Sequence, residues 1–388
     1  MADLFQSDVA PDFALPDDLS REVYCILGVP VDAIGMNAVL RRIGSASTAG
    51  TPFLISTPNL NSLVISQLDR EFREALILSD LCTADGMPII WIAWLMGIPI
   101  KKRIAGSDIF EALKTEYSAS LPLKAFLLGC AEGVAAAASR ALNGQPSGLY
   151  CVGWLFPGFG SADEMSRDDI IDTINSSGAD LLVASLGNQK GHLWLGRNHH
   201  RLLIPVRAHF GASLNFQAGT VRRAPLIVQK SGLEWLWRIK EEPYLWRRYW
   251  NDGAVLLRLL FTRVLPSAVW TWWGRLNERR GEALTITQAH DQQTVTVSLS
   301  GPATARCVNK AILAFRKAMQ TNKRITVDFS NARTVDVRFL GLLLMLNKKL
   351  KNTGGQCPVL VGLSPGLKRI FRFNNFDFTR FESRLCAF

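Results

Sequence analysis

No two cysteines stand in a CxxC pair, and neither a full GxGxxG fingerprint nor a Walker lysine occurs in the sequence. No apolar run reaches the roughly 18 uninterrupted residues of a membrane span. Each absence excludes something. Cys25, Cys82, Cys130, Cys151, Cys307, Cys357 and Cys386 sit singly in apolar segments, so they read as reduced core thiols of a cytosolic protein. The nearest approach to a span, AVLLRLLFTRVLPSAVWTWWGR at 254–275, is broken by Arg258, Arg263 and Pro266. MADLFQSDVAPDFALPDDLS, at 1–20, lacks the basic and apolar regions of a secretory signal and is expected to be a flexible leader. No DxD motif follows a strand pattern in the first half of the chain. His192 stands seven and eight residues before His199 and His200 with no acid or cysteine to complete a ligand set. No metal and no cofactor are therefore expected, and the three histidines read as surface or loop residues. PGFGSAD at 157–163 is at most a substrate-side loop.

What is present is enough chain for two or three folded units: 388 residues, 48% apolar and 20% charged. The net charge of +11 asks for an anionic partner: nucleic acid, anionic lipid or a phosphorylated substrate. With no recognisable nucleic-acid module or stacking platform, nucleic acid is not expected as a partner. Between 21 and 221, short apolar runs at 23–27, 53–57, 80–84, 124–129, 148–154, 180–187 and 202–208 alternate with helical patterns. Near-continuous apolar runs suit strands covered on both faces, and their alternation with helices predicts a Rossmann-like, doubly wound α/β domain. Ligands of such domains lie beyond the carboxyl ends of the strands. One helix is expected over 61–78, where Val64, Leu68, Phe72 and Leu76 make a stripe; another is expected to open with Ser107 as its N-cap.

The texture changes twice. Over 222–283 tryptophans and arginines crowd together in a helical pattern, which suits either a membrane interface or a helical cap packing its tryptophans on the main domain. From 284 to 388 the pattern is a small α/β unit. Its strands are expected at 294–300, 324–330 and 358–363, and its helices at 305–320, 338–355 and 364–374.

Several ordered motifs in the first part resemble the WecG/TagA/CpsF glycosyltransferases: TPN at 57–59, ADG at 84–86, RIAGSD at 103–108, AGTVRRAP at 218–225 and GLEWLWRIKEEP at 232–243. The resemblance covers about 22–250. It implies an inverting transfer of a sugar from a UDP-sugar to a polyprenyl-diphosphate-linked acceptor, in exopolysaccharide or cell-envelope glycan synthesis. The protein would be peripheral on the cytoplasmic face of the membrane. It implies Asp85 as general base, with Thr57, Asn59 and Arg103 on the substrates. The chemistry agrees, because an inverting transfer needs one base for the acceptor hydroxyl and positive charge for the leaving diphosphate. From the residues alone, Asp85 is a turn aspartate or a catalytic group, Thr57 and Asn59 cap the helix that follows, and Arg103 is a solvated charge or a phosphate ligand. In the appendage, Arg238, Arg247 and Arg248 are the matching candidates for the lipid diphosphate.

The family's G-x-P-x-Q-E-x-W appears as GNQKGHLW at 187–194, with Gln189 in the proline position and His192 in the glutamate position. Gln189, Lys190 and His192 are the residues this loop would bring to the donor. The departure implies either a different donor sugar or a lost activity. The rival function is then a non-catalytic scaffold that presents the C-terminal unit. That unit resembles a STAS domain in strand order and in VDFSNARTVDVRFLG, where Val337 occupies the position of the serine phosphorylated in regulatory members. A valine has no hydroxyl to phosphorylate. The unit is expected to dock a protein partner or the membrane through an exposed basic face of Arg333, Arg338, Lys348 and Lys349.

Overall fold

The computed structural model describes residues 15–117, 120–276 and 283–378. The first apolar run does not join the parallel sheet expected of it. β1 (Val23–Ile26) and β2 (Val29–Asp32) pair antiparallel as a separate hairpin. Leu27 and Gly28 between them both have positive φ, the two-residue geometry that matches strand twist.

The next six strands are β3 (Phe53–Ser56), β4 (Leu81–Cys82), β5 (Leu123–Gly129), β6 (Leu149–Leu155), β7 (Leu181–Ser185) and β8 (Val206–His209). They make one parallel sheet in the order β4-β3-β8-β7-β5-β6. The run at 202–208 yields strand only from Val206, because Pro205 has no N–H to give a ladder. The single helix expected over 61–78 is two, Leu60–Leu68 and Arg70–Leu78. Asp69 breaks the run by accepting the Phe72 N–H at 2.9 Å and so caps the second helix. Ser107 is not an N-cap. That helix starts at Gly106, and the Asp108 carboxylate reaches back to the Ala105 N–H at 3.1 Å.

A second sheet follows, β9 (Thr285–His290), β10 (Thr294–Ala303), β11 (Arg324–Val335) and β12 (Val359–Val361), in the order β12-β11-β10-β9 with only β9 antiparallel. Its helix Val337–Asn352 is buried along nearly its whole length. One side faces its own sheet and the other faces the β1–β2 hairpin. Leu19, Val23, Cys25 and Ile77 from the first part of the chain share a core with this unit. Gly341 is obligatory at the contact, since a Cβ there would collide with the Val23 carbonyl oxygen.

The basic face expected to be exposed on this unit is therefore inside the molecule. Arg338 donates to the carbonyls of Val23 (3.1 Å) and Arg21 (2.9 Å). Lys348 reaches Asp18 (2.9 Å), Asp80 (2.6 Å) and the Ser79 carbonyl (3.2 Å). Lys349 pairs with Asp17, and Arg333 stays on the surface. The same contact corrects the expected leader at 1–20: Asp18–Ser20 form a turn of 3-10 helix with Leu19 buried, while residues 1–14 lie outside the described ones.

The segment after β8 is helical, as its pattern predicts: Leu226–Lys230, Glu234–Glu241, Trp246–Leu259 and Leu265–Leu276. The last two are joined by a π-turn at Leu260–Val264, just ahead of Pro266, whose missing N–H would interrupt an α-helix. The run Pro243–Trp273 is long and apolar enough, by length and composition, to cross a membrane. It is nonetheless fastened to the body, because Leu259 and Val264 enter a core with Ile89, Ile90 and Ile92, and Arg263 donates to Gln67 at 2.9 Å. Most of its tryptophans are not covered by the body. Trp246, Trp250, Trp272 and Trp273 face solvent.

Candidate active site

Asp85 follows β4 at the carboxyl edge of the parallel sheet, where its N–H donates to the Pro58 carbonyl at 3.0 Å. Gly86, at φ +94°, then turns the chain into the helix Met87–Leu95, and a side chain there would be strained. Asp85 is half-buried, and charged residues of three other segments act on its carboxyl. Arg103 pairs with Glu234 at 2.5 Å and lies 4.0 Å from Asp108, while Arg223 pairs with the other oxygen of Asp108. Two arginines are thus matched by two acids. Asp85 is the surplus acid, with no ion pair among the described residues. Burial pushes its carboxyl up to about 7; Arg103 opposes the rise, and Glu234 and Asp108 add to it. A carboxyl poised there is half ionised near neutral pH, the condition for an effective general base.

Tyr249 closes the same space. It is largely buried, and burial raises its hydroxyl above the ordinary tyrosine range. Arg248 stacks on its ring at 5.2 Å, and both Arg248 and Arg238 act electrostatically on its hydroxyl, as Asp85 does. Arg238 itself lies over the Phe216 ring at 5.5 Å and pairs with Glu242 at 2.5 Å. Arg247 points elsewhere, over the exposed Trp246 at 5.7 Å.

Thr57 and Asn59 sit at the end of the neighbouring β3. Thr57 donates its hydroxyl to the His209 carbonyl at 3.3 Å, tying the ends of β3 and β8 together. Asn59 caps Leu60–Leu68: its Oδ1 accepts the Ser62 N–H at 3.0 Å, and Ser62 Oγ accepts the Asn59 N–H at 3.2 Å. Asn59 does the capping expected of it, whereas Thr57 spends its hydroxyl on β8 and caps nothing. Beside them a polar chain runs from Ser62 to Asn188 (2.9 Å), from Asn188 to Asn61 (2.8 Å) and from Asn61 to Asp252 of the appendage (3.1 Å). It stitches the appendage to the sheet edge.

The 187–194 stretch is not a loop but opens the helix Asn188–Asn198, and its side chains are engaged elsewhere than at Asp85. Gln189 donates to Asp69 at 2.7 Å, at the opposite end of Leu60–Leu68 from Asn59, about 13 Å along the helix axis. His192 is buried against Phe72 and His209, its Nδ1 on the Asn188 carbonyl at 2.8 Å. Burial pushes its imidazole down to about 4, so it is neutral at physiological pH. Contrary to a surface or loop reading, this histidine is an internal prop. Lys190 lies near the exposed Glu164, whose carboxylate its charge helps to hold ionised. The structure thus brings Asp85, Arg103, Arg238 and Arg248 together, sets Thr57 and Asn59 on the adjoining rim, and leaves Gln189, His192 and Arg247 outside. Among the described residues, no three His, Cys, Asp or Glu side chains gather as a metal-binding group.

The sequence model of the glycosyl transferase WecG/TagA/CpsF family matches residues 24–268, well over half of the chain. The chain belongs to this family. A STAS domain model of the Mlab type matches residues 286–378. Among curated relatives, an N-acetylglucosaminyldiphosphoundecaprenol N-acetyl-beta-D-mannosaminyltransferase of Bacillus spizizenii is 26% identical over 46% of this chain and 66% of its own length. Proteins of the same name are 23% identical in Bacillus subtilis (53% of this chain, 78% of the relative) and 24% identical in Staphylococcus aureus (55% and 82%). Among solved structures, the anti-sigma factor antagonist SpoIIAA in its unphosphorylated form is 22% identical and covers 24% of this chain and 83% of its own. Its TM-score of 0.20 is too low to argue from.

For this WecG/TagA/CpsF member, reading the sequence missed Asp108, Arg223, Glu234 and Tyr249 as neighbours of Asp85. Arg223 and Glu234 stand inside AGTVRRAP and GLEWLWRIKEEP, so the signal was present. The motifs mark these residues as family signature, but only the folded chain shows that the appendage helix Glu234–Glu241 brings Glu234 onto Arg103 beside Asp85.

Proposed function

We propose that the protein transfers a sugar, with inversion, from a UDP-sugar to a polyprenyl-diphosphate-linked acceptor at the inner face of the cell membrane. The observation that carries this reading is Asp85, a surplus carboxyl at a sheet edge with its pKa near neutrality, ringed by arginines. Asp85 takes the proton of the acceptor hydroxyl as the oxygen attacks the anomeric carbon and the nucleoside diphosphate departs. Arg103, Arg223, Arg238 and Arg248 supply positive charge to the leaving diphosphate and the acceptor's own diphosphate, and no divalent metal is required. The names of the relatives point to a lipid-linked N-acetylglucosamine acceptor and an N-acetylmannosamine donor. Attachment is peripheral, through the exposed tryptophans of the appendage. Its arginines add roughly 1 kcal/mol each near an anionic leaflet.

The test is to incubate the purified full chain with labelled UDP-sugars, UDP-N-acetylmannosamine included, and a polyprenyl-diphosphate N-acetylglucosamine acceptor, with and without a chelator. Extended lipid product in both conditions supports the reading. No product from any donor sinks it in favour of the scaffold.

A further inference from the structure

We infer that the helix Met87–Leu95, which begins two residues after Asp85, is a second membrane-inserting element and forms one continuous apolar platform with the appendage helix. Its sequence, MPIIWIAWL, is apolar all round. A helix of that kind is buried on every side or meets lipid. Half of it is buried: Ile89, Ile90, Ile92 and Ala93 pack in one core with Leu259 and Val264 of the appendage. The other half is not. Trp91, Trp94 and Leu95, at spacings that share one face, are 45%, 54% and 47% exposed. Trp94 has already satisfied its indole N–H on the Ile100 carbonyl at 3.1 Å, so its ring enters an apolar phase without an unpaired donor.

The surroundings fit a bilayer better than a second protein. Leu257 and Phe261, four residues apart in the appendage segment that packs on this helix, are also exposed. Lys101 and Lys102 come six and seven residues after the end of the Trp91 helix, and Arg247, Arg248 and Arg258 lie along the appendage. From 87 to 102 there is no acid, and from 243 to 273 the one acid, Asp252, is buried on Asn61. Aromatic and aliphatic surface flanked by cations, with no exposed carboxylate, is complementary to an anionic leaflet. The inference rests on the membrane reading above and adds a consequence. A helix of nine residues is about 13 Å long, so inserting its exposed face holds Asp85, at its N-terminal end, close to the headgroup layer.

The experiment uses the full chain and vesicles of phosphatidylcholine with phosphatidylglycerol, reading partition by co-sedimentation. The triple variant Trp91→Ser, Trp94→Ser, Leu95→Ser is expected to bind roughly tenfold or more weakly, with an unchanged melting temperature and unchanged mass in solution. Trp91→Ser alone, whose indole holds no hydrogen bond among the described residues, is expected to show a smaller loss in the same direction. It keeps the test decisive if the triple variant misfolds. Leu257→Ser with Phe261→Ser probes the appendage separately. Loss of binding in that variant but not in the Trp91 helix variants overturns this inference and leaves the peripheral reading standing; no loss in either also overturns this inference and leaves the appendage tryptophans to carry the attachment. Helix variants that dissociate a dimer in solution while binding vesicles normally show that this face meets a second copy instead, which also overturns it.

Discussion

Asp80 and Asp85 bracket the same short strand, one at each edge of the parallel sheet, and they have opposite fates. Burial acts to raise both. At the amino edge the Lys348 ammonium, 2.6 Å away on the C-terminal unit, together with the Leu54 N–H, overrides burial and holds the Asp80 carboxyl below its ordinary range. At the carboxyl edge Arg103 and Arg223 are engaged by Glu234 and Asp108 and only partly offset burial, and the Asp85 carboxyl rises to about 7. Four residues of chain separate a carboxylate ion-paired across two units from one that forms no ion pair among the described residues and is, in the reading proposed above, the base. The lesson is that the charge count of the surroundings, and not burial alone, sorts the two roles.

The sharpest way to break the contrast is to remove the unit that answers Asp80. A chain ending at 283 loses Lys348 and uncovers Leu19, Val23, Cys25 and Ile77, which share a core with that unit. It is expected to lose cooperative thermal unfolding and all transfer activity. A truncated protein that melts sharply and still transfers sugar shows the two units to be independent. Next in size is Asp85→Asn. The amide keeps the shape and takes no proton, so transfer is expected to fall by about 100-fold or more. A rate within a few-fold of the parent makes Asp85 a turn residue after all. In the parent, the rate is expected to climb as pH rises through about 7 and then level off.

How much of this was legible follows the same division. The strand-helix alternation, the Arg/Trp helices and the second α/β unit are local patterns, and they fold as those patterns predict. Asp85 was legible because it ends a strand within a motif. The hairpin of β1 and β2 was not, because VYCIL reads as any apolar strand and its positive-φ turn begins with Leu27, a residue that gives no warning. The basic helix Val337–Asn352 was misread as an exposed face for a related reason. Its lysines are answered by Asp17, Asp18 and Asp80, more than 250 positions earlier in the chain. The appendage is also apolar and basic, but among the described residues its exposed Arg247, Arg248 and Arg258 enter no ion pair, and its surface stays open. Only tertiary placement tells such helices apart.

Lys348→Met probes the clamp more gently. It keeps the buried stem and removes the charge, leaving Asp80 and Asp18 without their shared cation. Breaking a buried pair from one side costs on the order of 3 kcal/mol, to be read as a lower urea midpoint with unchanged slope. Asp80, depressed when folded, stabilises the native state above the unfolded carboxyl range and loses that contribution as pH falls through its native value. The variant's deficit is therefore expected to shrink in acid. A change below about 0.5 kcal/mol at pH 7 would mean the clamp is ornamental and the apolar contact alone joins the units.

The smallest effect is the most discriminating, because it runs against the usual direction of mutations. Asp85 has a higher pKa folded than unfolded, so the native state holds this proton more tightly. Raising the pH from about 4 to about 7 then costs the native state stability, the reverse of the Asp80 case. Asp85→Asn removes the group that must ionise. It is expected to stabilise the protein at pH 8 by on the order of 1–3 kcal/mol and to leave it little changed at about pH 4. Thermal melts of parent and variant across that range check it: the two curves should converge in acid and separate in base. Curves that stay parallel would mean that Asp85 is charged at no cost in the folded protein, and its contrast with Asp80 would vanish.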